Sequence, residues 1–493
     1  MSQTAAVSGK TFFGHPRGLA TLFFTEMWER FSYYGMRGLL ILFLTATTMS
    51  ENPGMGLDAV TAAAIYGLYT SLVYLLALPG GWVADNIWGQ RKAIFIGGCI
   101  IAAGHFSMAI PSDATFFAGL ILIVIGTGLL KPNVSTVVGD LYPEGGARRD
   151  AGFSIYYMGI NLGAFLGPLL CGYFGEGINW HYGFSLAGIG MVAGLIQFRM
   201  GYKNLGGIGL KPQYDGVAAK ERKFYLYAGL TGAVIAAFAL MAKTGVLDVT
   251  LSEVAAWLGG SILIIVAAFF VYLLTASKHT TEEKKRLGVI FWLFLLIAIF
   301  WAGFEQAGSS MNLFGSQGTD RVMFGWEMPA SWFQSVNSTF IIIMAPVFGW
   351  LWMFLAGINK HPSFLYKFSL GLFGLAGGFF VLAWGASFAD AGELVSPAFL
   401  VVTYFFHTCG ELCISPVGMS SVTKLSPPNR VGQMMGIWFV GAALGNLIAG
   451  LAAGDVGSGF QPLFWQVATF AAGAGIVALL AAPFIKRLIG GVE

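Results

Sequence analysis

Thr25-Glu26-Met27-Trp28-Glu29-Arg30-Phe31-Ser32-Tyr33-Tyr34-Gly35-Met36-Arg37 places two carboxylates and two guanidiniums inside an apolar run from Gly18 to about Thr48. A run of that length can span a bilayer, whose core needs about 20 apolar residues. A charge at membrane depth costs at least ~2.5–3.5 kcal/mol on insertion scales, so such groups face a protein-lined or watery interior and pair up. At 100° per residue, Glu26, Arg30, Tyr34 and Arg37 share one helical stripe, with Glu29 and Tyr33 beside it. An ion-paired packing seam would need such a stripe, and so would the lining of a substrate or proton path.

Composition extends this reading to the whole chain. Of 493 residues, 56% are hydrophobic and only 10% charged. Soluble domains carry about 25% charged residues, so this is an integral membrane protein. The net charge of +3 gives no reason to expect nucleic acid. Cys99, Cys171, Cys409 and Cys413 lie in apolar segments without zinc or disulfide spacing. No metal or cofactor is expected. Residues 1–10 are small and polar, without the apolar region of a signal peptide.

Fourteen spans are expected, from the first near 18–48 to the last near 461–485. Basic residues such as Arg91, Lys92, Arg148, Arg149, Lys220, Lys285, Lys424 and Lys486 fall in one alternating set of gaps. Acids such as Glu51, Asp58, Asp113, Glu176, Asp390 and Asp455 fall in the other, with Lys243 and Arg321 as exceptions. The positive-inside rule then puts both termini in the cytoplasm. Spans 7 and 8 carry almost no ionisable residue at depth and read as an inserted hairpin. The expected organisation is an all-α membrane protein with a six-helix bundle in 1–202, linkers and hairpin in 203–286, and a second six-helix bundle in 287–493. Patterns such as Gly163-Ala164-Phe165-Leu166-Gly167 let helices approach closely.

Beside the stripe, Lys131 and Arg199 are basic at depth, the latter near a span end; cationic Arg37 and Lys131 belong to the first half, while Glu305 and Glu411 belong to the second. Pairs that form and break across a cavity would serve alternating access, whereas permanent pairs would be structural. Lys131-Pro132 interrupts span 4, a weakening tolerated where protein lines the helix. Asn161 lies in span 5, Asn337 in span 10, and Glu411 and Ser415 share a face before Pro416. His407, one turn before Glu411, suits packing better than proton relay. Gly81-Trp82-Val83-Ala84-Asp85 through Gly89-Gln90-Arg91-Lys92 resembles the cytoplasmic loop signature of the major facilitator superfamily, in which Asp85 and Arg91 would pin helix ends.

Glu26-x-x-Glu29-Arg30-Phe31-x-Tyr33-Tyr34-Gly35 resembles the first signature of the proton-dependent oligopeptide transporter (POT/PTR) family, a major facilitator branch. Phe153 to Gly163 is similar to its second signature, and Gly410-Glu411-Leu412-x-x-Ser415-Pro416 to its late-helix motif. The resemblance implies twelve core helices plus the hairpin found in bacterial members. It implies that Arg30, Arg37 and Lys131 meet a peptide carboxylate, and that Glu411, with Asn161 and Asn337, meets the amino group. Tyr34, Tyr69, Trp301, Trp438 and Ser415 would line side-chain pockets. Arg37–Glu305 would be an outer gate pair and Lys131–Glu411 an inner one, with Glu26, Glu29 and Glu305 in proton coupling. Many relatives carry a histidine in span 2; Thr61-Ala62-Ala63-Ala64-Ile65 lacks it, so coupling would rest on carboxylates.

The expected function is a proton-coupled symporter that imports di- and tripeptides as a monomer in the lipid of a bacterial inner membrane. A zwitterionic peptide suits one basic and one acidic wall, since charge-assisted contacts are strong away from water. Competing functions are transport of another small zwitterion, anion or drug, and a non-transporting peptide receptor. An integral membrane enzyme is disfavoured, because no nucleophile–base set or metal-ligand spacing occurs at depth.

Overall fold

The computed structural model describes residues 11–213 and 216–490, so the expectation for residues 1–10 falls outside them. Among the described residues, twelve helices are long and apolar enough to cross a membrane. They are α2 (Ala59–Trp88), α4 (Asp113–Asp140), α5 (Gly146–Gly177), α6 (Trp180–Leu205), α7 (Val217–Lys243), α8 (Leu251–Thr275), α9 (Thr281–Gln317), α10 (Ala330–Gly357), α11 (Phe364–Ala389), α12 (Ala398–Leu425), α13 (Val431–Ser458) and α14 (Phe460–Leu488). Two further helices have membrane length, α1 (Arg17–Thr45) with its charged stripe and α3 (Gln90–Met108), which opens on polar residues. The described residues therefore hold the fourteen spans that the apolar runs predict.

Local sequence accounts for the ends and irregularities. Thr280 and Glu283 form a reciprocal capping box at the start of α9, with Glu283 Oε2 accepting from the Thr280 amide at 2.8 Å. Prolines 132, 168, 346, 416 and 483 sit inside helices, as membrane helices tolerate where neighbours satisfy the freed carbonyls. The α9 path does not end near residue 309. It passes through a tighter turn at Glu305–Gly308 and continues as helix to Gln317. A small hairpin pairs Val322–Met323 with Trp326–Glu327. Its two-residue turn, Phe324-Gly325, has positive φ at both positions, which suits the twist of paired strands. Arg321, an exception to the charge alternation, is neutralised there by Glu327 at 2.6 Å.

Contacts divide the chain into two compact units. The first comprises residues 1–36, 76–167 and 181–250; the second comprises 37–75, 168–180 and 251–493. This division cuts α1, α2 and α5 part-way, whereas the expected domains follow connectivity. In the first unit, Leu19, Leu22, Ile94, Leu130, Val134 and Phe198 build the core. There α1 packs on α5 so closely that a Cβ at Gly163 would lie 2.8 Å from the Phe31 nitrogen. Most of α7 is exposed, as expected of a helix facing lipid. In the second unit, α11 packs on α12 and α14, α9 on α13, and α8 on α13, α9 and the first part of α2.

Candidate functional site

The α1 stripe folds into a compact charge cluster. The Arg30 guanidinium donates to Glu29 through Nε and through Nη2, the latter at 2.7 Å from Oε1. Its Nε is also 3.4 Å from Glu26 Oε1, one helical turn back. All three side chains are buried. The aromatic faces of Tyr33 and Tyr34 stand 4.8 and 5.9 Å from the guanidinium carbon, completing a cation–π cage. Two carboxylates against one guanidinium leave a net negative charge, and Lys131 exerts a favourable electrostatic effect on Glu26. Buried charges persist only when paired and hydrogen-bonded.

Arg37, seven residues on, has unlike partners. Its Nη2 lies 2.6 Å from Glu305 Oε2, and its Nε donates to the Tyr66 hydroxyl at 2.6 Å. The turn at Glu305–Gly308 presents this carboxylate, and Gly308 is required beside it. A Cβ there would collide with the Tyr66 hydroxyl and lie 2.8 Å from Arg37 Nε. Neighbouring contacts fasten the same region: the Asn312 amide donates to the Gly38 carbonyl at 2.8 Å. Glu176 accepts from the backbone amides of Ala330 and Ser331 at 2.8 and 2.9 Å, using a carboxylate to satisfy the orphan donors that open α10.

Glu411 forms a third centre. Asn337 Nδ2 donates to Thr408 Oγ1 at 2.9 Å and lies 3.4 Å from Glu411 Oε2. Within its own unit the buried Glu411 thus meets the neutral Asn337 amide and the repulsive charge of Glu305. His407 is buried with its ring centroid 4.7 Å from that of Phe379, a packing role. Ser415 Oγ is buried without a hydrogen-bond partner. Tyr69 and Trp438 are buried, the latter edge-on to Phe368 at 6.3 Å. Trp301 is half-buried against Phe304, at 5.1 Å between rings. Asn161 folds back on its own helix, donating to the Tyr157 carbonyl at 3.0 Å.

Of the residues singled out in the sequence, the first unit therefore holds Glu26, Glu29, Arg30, Tyr34, Lys131 and Asn161. The second holds Arg37, Tyr69, Trp301, Glu305, Asn337, Glu411, Ser415 and Trp438. Sequence reasoning missed Tyr66, three residues before Tyr69 on the same helix face, and missed Thr408. It also missed the bond between Ser32 Oγ and His105 Nε2 at 2.6 Å, which ties α1 to α3 from the face opposite the charges. The loop between α2 and α3 carries polar contacts of its own. Asp85 accepts from Gln90 at 2.8 Å, and Arg91 donates to the Gly206 carbonyl while its amide meets Gly209.

Residues 91–457 match the model of the POT family. A peptide transporter of Yersinia enterocolitica is 42% identical over 466 residues, covering 92% of this chain and 91% of its own. A di-/tripeptide transporter of Lactococcus lactis is 36% identical, covering 87% and 88%. Among solved structures, that of a peptide transporter POT in complex with sulfate superposes with a TM-score of 0.90 at 40% identity, covering 98% and 97%. The agreement assigns the major facilitator fold, and descent from transporters sets the enzyme reading aside. The chain belongs to the POT family of multi-pass membrane transporters.

Proposed function

We propose that this protein is a proton-coupled symporter that imports di- and tripeptides by alternating access. The observation that carries the reading is Glu411: a buried carboxylate that accepts from the Asn337 amide and feels the like charge of Glu305 within its unit. Such a group calls for a cation, and a peptide ammonium supplies one. Arg30, Arg37 and Lys131 then serve the peptide carboxylate, and Asn161 and Asn337 add hydrogen bonds. Tyr34, Tyr69, Trp301, Ser415 and Trp438 accept side chains. The names of the Yersinia and Lactococcus relatives support the cargo.

In this reading Arg37–Glu305, braced by Tyr66, closes the outer side, and Lys131–Glu411 closes the inner. Glu26 and Glu29 carry the coupling proton, with Glu305 assisting. The six-helix bundles of 1–202 and 287–493 are the bodies that rock. The protein works as a monomer in the bacterial inner membrane, with both termini cytoplasmic. The test is uptake of labelled dialanine into proteoliposomes under separately imposed pH gradient and voltage. Accumulation should require the inward proton gradient and should be competed by dipeptides but not by N-acetylated ones. Absence of peptide-dependent uptake, or equal competition by blocked peptides, would contradict the proposal.

A further inference from the structure

A cavity of about 480 Å³ lies at one end of the second unit, bounded by the end of α10, the start of α11 and the ends of α12 and α14. Lys367, Lys424 and Lys486 line it together with His361, and among the described residues no carboxylate does. Lys367 is the telling residue. It is only 5% exposed, and its ammonium sits 4.2 Å from the Trp352 ring centroid and 3.1 Å from His361 Nε2. Among the described residues no carboxylate pairs with it. A buried cation whose protein partners are an aromatic face and an imidazole lacks the counter-charge that burial demands. Ser363, the residue before α11, leaves its buried hydroxyl without a partner instead of capping its helix.

We propose that this cavity binds the phosphate of an anionic phospholipid headgroup. The buried Lys367 supplies the charge, Lys424 and Lys486 line the same cavity, and a serine hydroxyl and the N-terminus of α11 add donors suited to a phosphate oxygen. All lie at helix ends that share the basic side of the charge alternation. There Trp352 and Tyr366 supply the amphipathic rings that settle at a membrane interface. Basic pockets between membrane helices on the cytoplasmic side are the places where acidic headgroups lodge. The cargo assigned above is not needed for this inference.

The experiment uses the full-length protein, purified in detergent and titrated separately with phosphatidylglycerol, phosphatidylcholine and inorganic phosphate. Native mass spectrometry reads retained lipid, and thermal unfolding reads stabilisation. Phosphatidylglycerol should be retained and should raise the unfolding temperature, while phosphatidylcholine should do neither. The exposed double variant Lys424→Gln/Lys486→Gln should weaken apparent phosphatidylglycerol affinity at least tenfold while unfolding like the parent without lipid. Lys367→Met, which keeps bulk and removes charge, should lose the lipid effect as well. Equal action of the two lipids, or an undiminished phosphatidylglycerol effect in the double variant, would overturn the proposal. Saturation of the lysine-dependent shift by inorganic phosphate, with nothing added by phosphatidylglycerol, would overturn the lipid assignment.

Discussion

Arg30 and Arg37 stand two turns apart on one helix, both buried, and their partners could hardly differ more. Arg30 is held by Glu26 and Glu29 of its own helix, so its ion pairs travel with it. Arg37 is held by Glu305, 268 positions away in the chain, and by Tyr66 of α2. A local pair survives any rigid movement of its helix. A long-range pair breaks when the elements that carry it separate, which makes it suited to gating. Under the proposed function, the contrast suits Arg30 to proton and substrate chemistry and gives Arg37 a gating part beside its contact with the peptide carboxylate.

The largest effect should come from destroying the local cluster. Arg30→Ala strands two buried carboxylates without their cation, and breaking one buried pair already costs about 3–5 kcal/mol. The variant should unfold well below the parent in detergent, or lose dipeptide binding where it folds. Thermal unfolding and peptide binding on the same preparation check this; parent-like values for both would remove the cluster from the account.

Next, Glu411→Gln keeps shape but removes charge, and truncating one side of a desolvated charge contact costs about 2–5 kcal/mol. Dipeptide affinity should fall by at least tenfold, whereas N-acetylated peptides should bind the parent and the variant equally weakly. Binding measured by calorimetry decides it, and an unchanged affinity for free dipeptides would reassign the ammonium.

Glu305→Gln sharpens the contrast further. The gate loses its ion pair while the Arg30 cluster stays whole, so the outward-open population should rise. Cysteines placed beyond Arg37, near the chain's expected outer side, should label faster in the variant. Unchanged labelling would make Arg37–Glu305 a structural pair. Tyr66→Phe removes one hydrogen bond to a charged group, worth about 1.5–3 kcal/mol, and should shift labelling in the same direction by less.

How legible these features are in the sequence follows the same contrast. The Glu26–Glu29–Arg30 cluster can be read from spacing because helical periodicity fixes which side chains meet within one segment. The fourteen spans are legible because apolar length is a local property. Arg37–Glu305 comes from family resemblance, and Tyr66 escaped because nothing local distinguishes its hydroxyl from that of Tyr69. The turn at Glu305–Gly308 is likewise hidden: the polar stretch from Glu305 to Ser310 reads as the end of a span, yet helix resumes to Gln317, and only packing against Tyr66 reveals the need for Gly308. Glu176 reads as one acid in a polar gap, yet it caps α10 across 154 residues of sequence. Contacts that join distant segments depend on which helix ends meet, and a single sequence does not carry that information.

The most direct test of the account sets proton coupling against exchange. Glu26→Gln and Glu29→Gln each remove a titratable carboxylate from the Arg30 cluster while leaving Arg37–Glu305 untouched. Gradient-driven dipeptide uptake and peptide counterflow are measured on the same reconstituted variants. Uphill, gradient-driven uptake should disappear while counterflow persists, because a ligand biases an equilibrium only through differential affinity for its states. If both variants still accumulate peptide against its gradient, the α1 carboxylates do not carry the proton, and the division of labour between Arg30 and Arg37 is contradicted.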